Sequence, residues 1–362
     1  MITHKVCYIR QESYLNSVMS EAKSETKRHS IERYVQSVCL AMICAAIVCV
    51  PYWFAQNRTP HYFRIQAENI YFNVKKAQKM QVMQSLRKRP EAKPGMPSLC
   101  AKSDKKVVGQ KVLSYSLYGK WAEDSHWTNM MDILSGEAAN STLYSDWIIR
   151  LYHDEKLPKN RIFALSEKHK NLRFCDIRNI PSYGDLSGVS GREWRFLPIG
   201  DKTVDVTCVR DIDSPLLKRE FDAVQQWLDS EKLFHCMRDH PQHGGWRVLA
   251  GLFCFRNSKN ETVSDLVFNA IRKHGYHKNE TFEPFKESDQ TLLRDFVWPL
   301  VRHDSMQHDG YSCERYPESY PFPSRRETNS SGFMGCKRPC TRVVPPCPLK
   351  CRPKNHQDWM FC

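Results

Sequence analysis

Two aspartates one residue apart, Asp211 and Asp213, follow the apolar run Val204–Val209 and precede Ser214-Pro215. Carboxylates at this spacing can both turn toward one hard cation, which takes oxygen ligands and bridges a diphosphate. A cation so held would neutralise the charge on a departing nucleoside diphosphate. The competing reading is a pair of capping or turn aspartates. An Asp-x-Asp triplet alone is close to chance in 362 residues, so its place in the fold decides its weight. Arg210 and Arg219 flank the pair, and their planar forks suit phosphate oxygens or, equally, a neighbouring carboxylate. A second polar cluster, Arg238-Asp239-His240-Pro241 with His243 beyond it, ends the apolar run Leu233–Met237. Asp239 could serve there as the base toward an acceptor hydroxyl, and His240 or His243 as a ligand of acceptor or phosphate. The alternative is an ion pair of Arg238 with Asp239 that fixes the turn.

Elements must bring these groups together. Alternation predicts a strand at Val112–Leu117 ended by Gly119, and another at Trp147–Tyr152, with a helix around Trp127–Leu134 between them. Strand, helix, strand at this spacing reads as a βαβ unit. The strand Val204–Val209 then runs into the aspartates. Ser214-Pro215 reads as a helix start, and Leu217, Phe221, Val224 and Leu228 give that helix one apolar face. Asp211 and Asp213 therefore belong at a strand's carboxyl edge, where open α/β sheets bind ligands. The expected fold class is α/β, with a mixed, mostly parallel sheet flanked by helices.

Charge and cysteine content bound the rest. The formal net charge of +14 is uneven: residues 1–37 carry +2, 58–111 carry +10 and 336–362 carry +5, leaving −3 for the remainder. A nucleic-acid-binding fold wears its charge on the folded surface, so nucleic acid is not the expected partner. Residues 38–55 hold no charge over 18 positions, about 27 Å as a helix, which suits one membrane anchor. Of 15 cysteines, 11 lie beyond residue 99, and five Asn-x-Ser/Thr sequons, at Asn57, Asn140, Asn260, Asn279 and Asn329, all follow the apolar run. Both favour a lumenal carboxyl side. The expected organisation is a cytosolic tail at 1–37, a single-pass type II signal-anchor at 38–55, a basic stem at 56–111, a catalytic domain at 112–328 and a Cys/Pro-rich tail at 329–362. That tail holds five cysteines, read as disulfides, with one left to pair with the body, to link a second chain or to stay free. Nothing in it suggests catalysis. The P-loop, Rossmann, zincin and nucleophile-elbow patterns are all missing from the sequence.

The strings VRDIDSPLLKRE, AVQQWLDSEKLFHCMRDHPQH and VLAGLF resemble a poorly characterised group of glycosyltransferase-like proteins with the DXD-type nucleotide-sugar fold, GT-A. The likeness extends to YSLYG at Tyr115–Gly119, WIIRLYHD at Trp147–Asp154, WRFLPI at Trp194–Ile199, Asp289-Gln290, Val297-Trp298-Pro299, His303-Asp304-Ser305 and PFPSRR at Pro321–Arg326. It implies that Asp211 and Asp213 hold Mn²⁺ or Mg²⁺ and the diphosphate of a nucleotide-sugar donor. By the same resemblance His303 falls near a third metal-ligand position, which would favour Mn²⁺, and Asp289-Gln290 near the acceptor pocket, with helix capping as the other explanation. The implied activity is sugar transfer to a hydroxyl of a glycan, protein or lipid in the Golgi or another secretory-pathway membrane. Two rivals stand beside it. One is a catalytically inactive GT-A-like lumenal glycan-binding or scaffold protein. The other is a metal-dependent enzyme acting on phosphate esters.

Overall fold

The computed structural model describes residues 98–100, 109–119, 122, 143–274, 288–326 and 332–362. The apolar run 38–55, nearly all of the basic stem and the helix expected at 127–134 lie outside these residues. Among the described residues no helix is long and apolar enough to cross a membrane.

Seven strands form one sheet: β1 (Gln110–Leu117), β2 (Ile148–His153), β3 (Leu172–Asp176), β4 (Val204–Arg210), β5 (Phe234–Arg238), β6 (Leu252–Arg256) and β7 (Ser305–Asp309), in the order β3-β2-β1-β4-β6-β5-β7. β1, β2, β3 and β4 pair in parallel, as do β5 and β7. Only β6 runs against its neighbours β4 and β5. Six strands therefore share one direction and bring their carboxyl ends to one edge, so the expected mixed, mostly parallel α/β sheet is the fold observed. Successive side chains of a strand point to opposite faces, and both faces of this sheet carry a core, so the strands hold apolar residues on both sides. On β6, Phe253 and Phe255 enter one core with Phe196, Val267 and Phe268, while Leu252 and Cys254 enter the other with Ala223, Val224 and Trp227.

Helices cover both faces: α1 (Lys159–Lys168), α2 (Lys218–Asp229), α3 (Glu261–His274), α4 (Ser288–Leu292) and α5 (Trp298–Val301). A π turn at Leu293–Val297 joins α4 to α5, and a 3-10 turn follows at Arg302–Asp304. α2 begins at Lys218, four residues after Ser214, and no side chain caps it. Residues 211–214 instead close a turn in which the Ser214 N–H donates to the Asp211 carbonyl at 3.2 Å. That turn sets the aspartates at the end of β4 before the helix can start.

Contacts cross both expected domain borders. Leu99 and Cys100, placed in the stem by sequence, are buried, and Cys100 pairs with Cys175 on β3. The Leu99 N–H donates to Asp201, which also binds the buried Arg150 of β2. The tail beyond residue 328 is equally integral. Phe333, Met334, Cys336, Val344, Cys347, Cys351 and Cys362 are buried, and Cys336–Cys340 and Cys347–Cys362 pair within the tail. The odd cysteine, Cys351, pairs with Cys313 of the body. Cys208–Cys254 joins opposed positions of β4 and β6, and Cys236 stays a buried thiol, pushed up to about 11 by burial.

Candidate functional site

The carboxyl edge of the sheet carries a cleft of about 240 Å³ lined by Ser116, Leu117 and Tyr118 at the end of β1, Asp211, Ile212 and Asp213 after β4, Arg192 and Arg195, and Lys337 of the tail. Two carboxylates and three cations thus share one small polar space.

Asp211 is the best-supported member. Its Oδ1 accepts from Nη1 of Arg195, whose Nη2 donates to Oδ2 of Asp289 at 3.1 Å. Arg195 is only 10% exposed, while the Asp211 side chain is 42% exposed and so reaches the solvent of the cleft. Burial pushes the Asp211 carboxyl up, but Arg195, with Arg210 and Arg192 behind it, more than offsets this and holds it below the ordinary carboxylate value. Burial lifts Asp213, the Asp211 charge lifts it further, and Lys337 only partly offsets the two, so its carboxyl sits above the ordinary value. The acid pair is therefore electrostatically uneven, and a cation on it would relieve Asp213.

The backbone around the pair is shaped to fit. A Cβ on Gly251 would overlap the Asp211 carboxylate, so that position must remain glycine for the acid to sit where it does. Gln290 pins the segment leading to Gly251: its Nε2 donates to the Val248 carbonyl at 2.8 Å and its Oε1 accepts from the Ala250 N–H at 3.1 Å. Asp289 and Gln290 thus reach the site from α4, one through Arg195 and the other through this segment. Asp289 also accepts from the Gln290 N–H at 2.9 Å, so its turn role and its link to the site coexist.

Six other candidates from sequence are not among the residues lining the cleft. Arg210 is buried, pairs with Glu220 of α2 at 2.7 Å and donates to the Gly251 carbonyl at 2.9 Å, so it ties β4 to α2 and is not a phosphate ligand. Arg219 is turned to Asp239 at 3.1 Å and to the Ser324 carbonyl, with its guanidinium over the Phe322 ring, and burial pushes it down to about 10. Asp239 is fully buried, holds Arg219 and Arg326 and accepts from the Met334 N–H at 3.0 Å, so no acceptor hydroxyl can reach it as a base. Its partners are these arginines, while the neighbouring Arg238 pairs with Asp309 of β7. His240 accepts from the Gln242 N–H at 3.2 Å and stacks on Phe333, and His243 accepts from the Asp239 N–H at 3.1 Å. His303 lies before β7, at the opposite edge of the sheet from Asp211 and Asp213, with its Nε2 against Arg302. It cannot complete a metal site with them, and the preference for Mn²⁺ over Mg²⁺ loses its basis.

Sequence reasoning missed Arg192, Arg195, Tyr118, Gly251 and Lys337. A signal existed for Arg195, the single charge inside the otherwise apolar Trp194–Ile199. None existed for Lys337, one basic residue among six in the tail.

Among the described residues no three His, Cys, Asp or Glu side chains converge as a metal cage. Asp211 and Asp213 fit the other mode of binding, in which one or two carboxylates share Mg²⁺ with substrate phosphates. Arg192 and Lys337, on the same cleft, would suit an anion of two or more charges. No protein-family model matches the chain, and no curated protein matches it.

Proposed function

We propose that this chain is a GT-A-like glycosyltransferase that moves a sugar from a nucleotide-diphosphate donor to a hydroxyl acceptor. One observation carries the reading: Asp211 and Asp213, at the carboxyl edge of a mostly parallel sheet, share a cleft with Arg192, Arg195 and Lys337. Acids paired for a cation and bases spaced around them complement a metal-bound diphosphate more closely than a neutral ligand.

In this reading the acceptor hydroxyl oxygen replaces the diphosphate at the anomeric carbon: the bond to the diphosphate oxygen breaks, the diphosphate leaves with the electron pair, and the hydroxyl proton passes to water. Asp211 and Asp213 would hold Mg²⁺ or Mn²⁺, which supplies charge neutralisation to the leaving group. Arg192 and Lys337 add positive charge at the same place, and preorganised charge aimed at a leaving group is worth most in a confined site. Arg195 acts one step back: it fixes Asp211 in position, and Asp289 fixes Arg195. Among the residues lining the cleft no carboxylate or imidazole other than the aspartate pair is present to take the acceptor's proton. That observation keeps the second reading, a lumenal module that binds the donor or a glycan without turnover.

Placement in a secretory-pathway membrane belongs to the same proposal. Five cysteine pairs close enough to be disulfides among the described residues support an oxidising compartment. The test of turnover is nucleotide-sugar hydrolysis by the full-length chain in detergent, across a donor panel, with and without Mg²⁺ or Mn²⁺. The transferase reading expects metal-dependent release of the nucleoside diphosphate from one donor, lost in Asp211→Asn and Asp213→Asn. Binding of that donor without release would select the second reading.

A further inference from the structure

The carboxyl-terminal tail enters the cleft at one point. Lys337 stands on a five-residue loop closed by Cys336–Cys340, and it lines the cleft together with Arg192 and Arg195. This loop is joined to the aspartate turn itself, because the Arg338 N–H donates to the Asp213 carbonyl at 2.9 Å. Inside the loop the Cys340 N–H donates to the Lys337 carbonyl at 2.9 Å, and the Cys336 N–H donates to the Phe333 carbonyl at 3.0 Å. Behind it, Met334 is bonded to Asp239 at 3.0 Å and Phe333 stacks on His240 at 4.4 Å between ring centroids. The chain on both sides of Lys337 is thus anchored to the ends of β4 and β5, while the Lys337 side chain itself is exposed.

Resting on the diphosphate reading of the cleft, we propose that Lys337 is an anion ligand of this site, and that the Cys336–Cys340 loop exists to present it. Asp211, Asp213, Arg192 and Arg195 all come from the sheet's own connections, and Lys337 is the contribution of the tail. Its ammonium supplies a movable point charge, which suits a diphosphate oxygen that shifts as the bond to the sugar breaks. The residues that place it, Asp239 and His240, are the ones the sequence offered as chemistry. They serve the site by holding the tail.

The experiment is a calorimetric titration of the full-length chain in detergent with inorganic pyrophosphate, with and without Mg²⁺. It compares wild type, Lys337→Gln, Lys337→Arg, Arg192→Gln and the double variant Cys336→Ser/Cys340→Ser. Loss of one charge-assisted contact weakens binding by about tenfold. Lys337→Gln is expected to show that loss, Lys337→Arg to keep most of the affinity, and the cysteine double variant to weaken binding with its thermal transition within a few degrees of wild type. If wild type binds pyrophosphate and Arg192→Gln weakens it while Lys337→Gln binds as wild type does, Lys337 is not a ligand and the cleft reading survives. Tighter binding by Lys337→Gln would also overturn the inference, since Lys337 would then compete with the ligand for Asp213. If wild type does not bind pyrophosphate under either condition, the diphosphate reading fails and this inference fails with it. Should the cysteine double variant unfold, the two Lys337 variants decide alone.

Discussion

At the scale of single residues, Arg195 and Asp239 exchange the roles that position in sequence would give them. Asp239 ends a strand beside two histidines and reads as a base, yet two arginines and a backbone N–H saturate it in the interior. Its replacement therefore tests structure: Asp239→Asn leaves Arg219 and Arg326 short of a counter-charge and should cost about 3 kcal/mol in urea unfolding. A variant with unchanged unfolding and lost turnover would instead restore the catalytic reading. Arg195 shows in sequence only as the single charge inside Trp194–Ile199, but it carries both Asp211 and Asp289. Gly251 is the complementary case, since its importance lies in a missing atom. Gly251→Ala should displace the Asp211 carboxylate and abolish Mg²⁺-dependent pyrophosphate binding, with thermal unfolding little changed. Retained binding in that variant would show that the position of Asp211 does not matter.

At the scale of elements, β5 and β7 are joined by more than backbone bonds. His308 donates from Nε2 to Oε1 of Gln226 at 2.9 Å, so its Nδ1 accepts from Nε2 of His235 at 2.7 Å and both rings are neutral. Burial pushes His308 down to about 3, helped by Arg219, and burial pushes His235 well below its ordinary value, with His308 adding to it. Both folded values lie below the unfolded value, so the unfolded chain binds more protons below about pH 6.5. Stability from the pair is complete above that pH and is lost as pH falls from about 6.5 toward 3. At pH 5 the loss from His308 alone is about 2 kcal/mol relative to pH 7.5. Urea midpoints at the two pH values should differ accordingly in wild type and by less in His308→Asn; an identical shift in both would assign the acid sensitivity elsewhere. The tail is a second element-scale device. Cys313–Cys351 closes a separation of 38 residues, and Cys313→Ser/Cys351→Ser should lower stability by roughly 4 kcal/mol on the chain-entropy estimate. A double variant as stable as wild type would mean the tail is held by its other contacts.

The strands at Val112–Leu117, Val204–Val209 and Leu233–Met237 were legible because burial on a sheet imposes alternation or a continuous apolar run, which sequence records directly. Each observed strand lies within two residues of that reading at either end. Ser214-Pro215 misled because a local capping preference yielded to the turn that seats Asp211. The partners of Arg210, Arg219 and Asp239 are not legible, since an ion pair between residues 10 or more apart in sequence leaves no local trace.

At the scale of the whole molecule, the uneven charge acquires a different sense. The sequence assigned −3 to the body and +5 to residues 336–362, as if the two were separate. In the fold the tail lies against the carboxyl edge of the sheet and lends Lys337 to the cleft, so part of the basic excess belongs to the site. On the proposed reading, the acidic pair that shares its cleft with Arg192, Arg195 and Lys337 would take a ligand that brings a cation and a polyanion together. The most direct test is calorimetry of uridine and guanosine diphosphates on the full-length chain with Mg²⁺, repeated without the ion and on Asp211→Asn. One-site binding of at least one nucleoside diphosphate that requires Mg²⁺ and is lost in Asp211→Asn is the predicted result. Binding of neither, or binding that Asp211→Asn leaves unchanged, would contradict the account.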